Sequence, residues 1–119
     1  MNGQLTANQI AAQLAQLARE LDDLVRRIAE AERDAVNKRE DYTLAHSKAF
    51  LAAEGPMDIR KHEAIEQTHV ERLAAETAEA VVRGIRRQID STKTRVEVGR
   101  SVGTALRSEM ALAGRDGTP

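Results

Sequence analysis

The sequence predicts an all-α protein: a long antiparallel two-helix hairpin of the coiled-coil type, expected to pair into a four-helix bundle. Apolar or small residues recur every three or four positions over residues 10–52, a spacing that keeps them on one side of a helix. Only Tyr42 and Phe50 are aromatic, which argues against a thick core, whereas Ala, Leu, Val and Ile suit a thin interface between helices. One strong break, at residues 54–58, divides the chain.

The composition excludes several kinds of protein. A chain of 119 residues is expected to form one domain, residues 1–119. It has no cysteine, so disulfides and thiolate metal ligands are excluded. No apolar run approaches the roughly 20 residues that cross a bilayer, and residues 1–8 lack the pattern of a signal peptide. We therefore expect no membrane association and a cytoplasmic location.

Helix 1 is predicted over residues 8–53, with Thr6 or Asn8 capping its first turn. Its predicted core-facing positions alternate in steps of four and three residues. They are Ile10, Leu14, Leu17, Leu21, Leu24, Ile28, Ala31, Ala35, Lys38, Tyr42, Ala45, Ala49 and Ala52. Lys38 is the one charged member, and it either fixes the register and oligomeric state or extends its stem outward over the neighbouring alanines.

Residues 54–57 are predicted to form the turn. Gly55 is suited to the left-handed backbone that ends a helix, and Pro56 cannot continue one. Proline is also favoured in the first turn of the next helix, where Asp58 brings a negative charge to the positive helix end. A turn this short makes the two helices antiparallel neighbours.

Helix 2 is predicted over residues 58–113, followed by a disordered tail over residues 114–119. Its predicted core-facing positions are Ile65, Leu73, Val81, Ile85, Ile89, Val96, Gly99, Gly103, Leu106 and Met110. A turn at Gly55 and Pro56 pairs residues whose numbers add up to about 111. This register places Ile65 near Ala45 and Val70 near Tyr42.

The glycines of helix 2 require an explanation, because each costs about 1 kcal/mol relative to alanine inside a helix. The register places Gly99 and Gly103 opposite Ala11, Ala12 and Ala15. We interpret this pair as a site of close helix packing, the alternative being a frayed or kinked second helix.

No set of residues predicts catalysis or a cofactor. Ser47, His46 and Asp41 lie almost consecutively on one helix, so they cannot converge on a substrate. His62, Glu66 and His69 share a helix face and include the Glu-x-x-His spacing of di-iron bundles. Such a site needs further inward carboxylates, and the candidates opposite, Glu40 and Asp41, fall outside the core-facing positions of helix 1. We therefore predict no metal site.

The charge distribution is uneven along the chain. Residues 1–80 hold 10 Lys/Arg against 15 Asp/Glu, and residues 81–119 hold 8 against 4. In the basic part, acidic residues interleave with arginines and no aromatic residue follows Phe50, unlike a surface that tracks phosphates and stacks bases. We expect these arginines to be solvated or to meet the acidic part, with nucleic-acid binding as the alternative.

Two groups of apolar residues lie outside the predicted core. Leu44, Phe50, Leu51 and Met57 gather near the turn, where they either bind a protein partner or cap the hairpin and pack within an oligomer. A second group is left beside the core-facing stripe without a partner, which predicts self-association. Its members are Val25, Val82, Val98 and Val102.

Tyr42, the run Ala49-Phe50-Leu51, Gly55, Arg60 and the segment 85–114 together resemble small coiled-coil proteins encoded in the early regions of phages and prophages, near recombination and single-strand-binding genes. The resemblance implies an accessory role in the host cytoplasm without catalysis. The function we expect is that of a non-catalytic interaction protein that binds a protein partner. The alternatives are an accessory of DNA replication or recombination that touches nucleic acid, and a ferritin-like metal-binding bundle.

Overall fold

The computed structural model describes residues 6–116, with side chains described as far as residue 114. Helix accounts for 94% of the structure and no strand occurs in this range, which confirms the all-α class and the long helices. The helices are α1 (Ala7–Ala52), α2 (Met57–Gln67) and α3 (His69–Asp116).

A reciprocal cap defines the start of α1. The Thr6 hydroxyl accepts a hydrogen bond from the Gln9 backbone N–H (3.1 Å), and the Gln9 side-chain oxygen accepts one from the Thr6 N–H (2.8 Å). Two N–H groups that the helix leaves without partners are thereby satisfied, as in a capping box. Of the two predicted caps, Thr6 is the one that the structure uses.

The turn lies where the sequence predicts it. Gly55 has a φ of 104°, a left-handed conformation that a side chain disfavours. Pro56 precedes α2, and its carbonyl accepts the Arg60 N–H at 3.0 Å. Asp58 is the acidic residue of the first turn of α2.

The predicted second helix is divided at Thr68, which separates α2 from α3. Thr68 has φ −111° and ψ 19°. Its buried hydroxyl donates to the Ala64 carbonyl at 2.6 Å, beside the backbone N–H bond to the same oxygen at 3.1 Å. A threonine hydroxyl bonded to the preceding turn is a known cause of helix bending, and neither Pro nor Gly is present to signal it.

The end of α3 also differs from the prediction. Helix continues to Asp116, so residues 114–116 are not part of a disordered tail. Residues 117–119, like residues 1–5, lie outside the described range.

The contacts of the chain group into two compact units. We call Met1–Val25 with Arg87–Pro119 the terminal unit and Arg26–Arg86 the turn unit. In the terminal unit, the beginning of α1 runs antiparallel to the end of α3. Its buried residues are Ile10, Leu17, Leu24, Ile89, Thr92 and Gly103.

The turn unit is an antiparallel helical hairpin with a thin core. Ala35, Ala78 and Val82 form a buried cluster against which Ile28 and Ala31 pack. Ala64, Thr68, Ala75 and Ile85 are also buried. No described side chain larger than alanine is fully buried, as expected where two helices share one narrow contact.

The predicted core-facing stripe of the second limb is wrong near the turn. Ile65, Leu73 and Val81 are exposed, as is Val70, which was expected to face Tyr42. The buried positions are neighbouring residues, Ala64, Ala75 and Val82. Val82 had been predicted to lie beside the core without a partner, and this prediction is wrong because Val82 is buried in the core. Small residues let two helix backbones approach closely, and the larger side chains are then displaced to the flanks of the contact.

The stripe of α1 matches the prediction without a break as far as Ala35, where every predicted position is buried or half-buried. Beyond Ala35 it also holds at Tyr42, Ala45 and Ala49, which are half-buried. It fails at Lys38 and Ala52, which are exposed while the next residues, Arg39 and Ala53, are half-buried. Because a helix has 3.6 residues per turn, a strict 3.5-residue repeat drifts around a straight helix and the following residue comes to share the inward side.

Candidate interaction surface beside the turn

The two sides of the turn are joined by Arg60 and Phe50. The Arg60 guanidinium lies over the Phe50 ring, 4.8 Å from its centroid, and its Nη2 donates to the Phe50 carbonyl at 3.3 Å. This carbonyl belongs to the last turn of α1, where the helix supplies no N–H donor for it. Phe50 is half-buried, and its contacts with Arg60 hold the two sides of the turn together.

Four large apolar side chains near the turn remain exposed, and we call them the tip surface. They are Leu44 (58% exposed), Leu51 (75%), Met57 (60%) and Ile59 (54%). Leu44 and Leu51 are seven residues apart, so they share one face of α1 about 10 Å apart along its axis. Met57 and Ile59 lie in the first turn of α2. The predicted register pairs Ile59 with Ala52, because their numbers add up to 111, and the structure leaves both residues exposed.

A polar interaction crosses the hairpin of the turn unit. Arg39 Nε and Nη2 donate to the two carboxylate oxygens of Glu79, at 2.9 and 2.6 Å. Arg39 also lies 5.4 Å from the centroid of the Tyr42 ring, whose edge meets His46 at 5.9 Å between ring centroids. The hydrogen bonds from Arg39 lower the pKa of Glu79 below its usual value and raise the pKa of Arg39.

A forked arginine–carboxylate pair has a fixed geometry, and this one joins one residue of α1 to one residue of α3. It therefore discriminates between registers of the two helices. Lys38, for which the sequence left open a register role or an outward-extended stem, is exposed, and Arg39 is half-buried in its place. The two residues are adjacent and both basic, so composition could not distinguish them.

The residues considered for a metal site do not converge. His62, Glu66 and His69 are exposed, as are Glu40 and Asp41. His69 Nδ1 lies 3.1 Å from Arg72 Nη2. Within residues 6–116 there is no group of three or more His, Cys, Asp or Glu side chains with the geometry to hold a metal ion.

Comparison with protein-family models, with curated proteins and with solved structures gave no match. Over the described range, no helix is both long enough and apolar enough to span a membrane.

Two arginines of the basic part meet carboxylates of the acidic part. Arg86 pairs with Glu32 at 3.3 Å in the turn unit, and Arg95 lies 3.9 Å from Glu20 in the terminal unit. Charges engaged in this way are less available to phosphates. Among the side chains that the structure describes, the other basic residues of this part are exposed; they are Arg83, Arg87, Lys93, Arg100 and Arg107.

Gly99 and Gly103 face larger partners than the sequence predicts. A β-carbon placed on Gly99 would lie 2.8 Å from Leu14 Cδ2, and one on Gly103 would lie 3.6 Å from Ile10 Cγ2. Ala11, Ala12 and Ala15, the expected partners, are exposed. The pairing is displaced by about two residues from the predicted register, and glycine faces leucine and isoleucine instead of alanine.

The terminal unit contains a groove that the sequence does not predict. It has a volume of about 450 Å³ and runs between α1 and α3, with Leu14, Leu17 and Gly99 among its lining residues. The signal in the sequence was the pair Val98 and Val102, four residues apart on α3, and both line the groove.

Proposed function

We propose that this protein is a non-catalytic helical-hairpin interaction protein that binds another protein through its tip surface. The observation that carries the proposal is the exposure of four large apolar side chains around one turn, each more than half exposed. Aromatic residues, Met and exposed apolar patches are common features of protein interfaces. Isolated exposed apolar residues are ordinary, but four that flank one turn call for an explanation.

The spacing of the tip surface favours a particular kind of contact. Leu44 and Leu51 stand at i and i+7 on one helix face, the spacing of anchors that an amphipathic helix inserts into an apolar groove. Lys48 and Ser47 lie between them and supply a polar rim. We therefore propose a partner with an apolar groove or helix face that receives these two leucines.

The structural role of Phe50 narrows the surface. Because Phe50 is covered by Arg60, it supports the turn. The proposed contacts with the partner are therefore made by Leu44, Leu51, Met57 and Ile59. The resemblance to phage accessory proteins supports this role, and we propose that the partner is a protein of the host cytoplasm. Nucleic-acid binding has less support, because Arg86 and Arg95 are engaged with carboxylates.

Site-specific photocrosslinking tests the proposal. A photoreactive residue is introduced at position 51, and a control at Val70, which is 74% exposed and lies in the same unit away from the turn. In cells of the source organism, position 51 is expected to crosslink to a defined protein that position 70 does not reach. Identical adducts from both positions, or none from position 51, would contradict the proposal.

A pair of matched variants completes the test. Leu44→Ser with Leu51→Ser is expected to abolish the adduct while circular dichroism still shows a helical protein. Val36→Ser with Val70→Ser removes apolar groups that are comparably exposed and is expected to preserve it. Adducts with nucleic acid instead of protein would favour the alternative function, an accessory of DNA replication or recombination.

A further inference from the structure

Three basic side chains form a row along α3 in the terminal unit, and we call them the basic row. Lys93, Arg100 and Arg107 follow one another at steps of seven residues, and all three are exposed. Seven residues are close to two turns of a helix, so the three side chains share one face and stand about 10 Å apart along its axis.

The basic row lies on the opposite flank of α3 from the groove. Arg95 and Val102 line the groove. Lys93 and Arg100 are each two residues from one of these, and two residues correspond to about 200° around a helix. The basic row and the groove are therefore separate surfaces of the terminal unit.

The positive charge of the basic row is not balanced by α3 itself. The segment 93–107 holds four basic residues and one acidic residue, Glu97. The fourth basic residue, Arg95, lies 3.9 Å from Glu20 on the groove side. Among the described side chains, no carboxylate forms an ion pair with any member of the basic row. An excess of positive charge therefore remains on this flank.

The facing helix does not balance this charge either. Gly99 and Gly103 face Leu14 and Ile10, so the last two members of the basic row lie beside the first turns of α1. Residues 7–18 of α1 contain no charged side chain. The hairpin therefore offers no carboxylate to this end of the basic row, in contrast to the arginines at positions 86 and 95.

The edge of α1 on the same flank is short and smooth. Ala11, Ala15 and Ala18 follow one another at steps of four and three residues, and all are exposed. Asp22, at the next step of four, is the first acidic residue of this edge. Short side chains leave room for another helix to lie beside the basic row at an ordinary interhelical distance of about 8–10 Å.

We propose that the basic row binds an acidic helix of another protein, which lies along α3 and carries a glutamate or aspartate at every seventh residue. A second helix has the same rise per residue as α3, so acidic side chains at that spacing meet all three cations. In coiled coils, charged residues at heptad spacing beside the apolar contact pair across the interface and set the choice of partner.

The sequence argues against two other occupants. A second copy of the chain offers no three acidic residues at successive seven-residue steps, since the longest such runs are pairs, for example Asp34 and Asp41. Nucleic acid would gain no base stacking, because the terminal unit contains no aromatic residue. This surface is also separate from the tip surface, which belongs to the turn unit, so the inference does not depend on the proposed function.

A synthetic peptide tests the proposal by fluorescence anisotropy with the full-length protein. The probe is a helical peptide of about three heptads, with three glutamates seven residues apart beside an alanine and leucine stripe. A control peptide has the same composition with the glutamates at unequal spacing. At physiological ionic strength, the evenly spaced peptide is expected to bind at least about fivefold more tightly than the control. Equal affinities, or no binding of the evenly spaced peptide, would overturn the proposal.

Charge reversal on the protein tests the basic row directly. The triple variant Lys93→Glu, Arg100→Glu and Arg107→Glu is expected to bind the peptide at least about tenfold more weakly, because three attractions become repulsions. A peptide with lysines in place of the three glutamates is expected to bind this variant instead, which also shows that the variant is folded. If the triple variant loses helicity, Arg100→Glu alone is expected to weaken binding about threefold, and an unchanged affinity would overturn the proposal.

A matched control separates the basic row from net charge. Arg27→Glu, Arg33→Glu and Arg87→Glu change the net charge by the same amount at exposed positions outside the row. This variant is expected to bind the peptide with wild-type affinity to within about twofold. A loss equal to that of the row variant would overturn the proposal, because net charge would then be sufficient.

Two further measurements exclude the other sites and ligands. Leu44→Ser with Leu51→Ser is expected to leave peptide binding unchanged, and a loss would place the peptide at the tip surface and overturn the proposal. Duplex DNA is expected to bind more weakly than the peptide. Tighter binding of DNA that the row variant loses would overturn the proposal in favour of a nucleic-acid surface. Each of these outcomes leaves the photocrosslinking test of the tip surface to be decided by itself.

Discussion

The same change, glycine to alanine, is expected to have three different effects at three positions of this chain. Gly55 is needed for its backbone conformation, with φ at 104°. Gly99 is needed for space, because an added β-carbon would lie 2.8 Å from Leu14 Cδ2. Gly84 lies within α3, and an added β-carbon there meets no atom within 4 Å.

The magnitudes follow from these three environments. At Gly84, alanine gains roughly 0.5–1 kcal/mol from helix propensity with nothing opposing it. At Gly99 the same gain is opposed by overpacking, which costs about 1–3 kcal/mol. Leu14 borders the open groove and can move, so the cost is at the low end and the net change is near zero. At Gly55, a strained backbone costs on the order of 1–3 kcal/mol.

The assay is urea unfolding followed by far-ultraviolet circular dichroism. All variants are measured at one chain concentration, because the stability of a protein that self-associates depends on its concentration. We expect the free energy of unfolding to decrease in the order Gly84→Ala, wild type and Gly99→Ala together, then Gly55→Ala. For a chain of this size 1 kcal/mol corresponds to roughly 4 °C in Tm, so the order is resolvable by melting as well.

A double-mutant cycle isolates the contact at Gly99. In a Leu14→Ala background the opposing methyl group is absent, so Gly99→Ala should recover the gain seen at Gly84. The expected coupling between the two positions is about 1 kcal/mol. Gly99→Ala stabilising the otherwise unchanged chain as much as Gly84→Ala, with no coupling to Leu14, would refute the close contact.

Three further outcomes are expected. Replacing Glu79 by Gln should lower Tm at pH 7, and the difference in Tm from wild type should shrink as the pH falls below about 4.5. A carboxylate whose pKa is lowered in the folded state stabilises the protein above its unfolded-state pKa, and this stability is lost on acidification. A difference in Tm that does not change with pH would argue against the ion pair. Thr68→Val removes the hydroxyl bond to Ala64 and should lower the unfolding free energy by about 0.5–1.5 kcal/mol, and unchanged urea midpoints would show that the bond contributes nothing. His62→Ala with His69→Ala should leave Tm and metal content unchanged, and stoichiometric zinc or iron that the double variant loses would reverse this conclusion.

Spacing along the chain was enough to predict α1 and the turn. The first half of α1 has one apolar stripe made of Ile and Leu, and no second stripe competes with it. Its inward face therefore follows from helix geometry alone, and the structure agrees from Ile10 to Ala35. Gly55 and Pro56 mark the turn by backbone chemistry that holds in any tertiary context.

The candidate interaction surface was predictable only in part. Leu44, Leu51 and Met57 lie off the repeat, and the structure leaves them exposed; their role in binding a partner remains a prediction. Phe50 lies off the repeat as well, but Arg60 covers it across the turn. That contact joins two helices and has no signal in the spacing of either one.

The tertiary structure decided the inward face of the second limb. Val81 and Val82 are adjacent and equally apolar, as Lys38 and Arg39 are adjacent and equally basic, so a pattern of residue types cannot choose between them. The choice depends on how closely the two backbones approach and on where Thr68 interrupts the helix. Periodicity shows that a helix has an apolar side, but the partner helix determines which residues of that side are buried, because burial is a property of the pair.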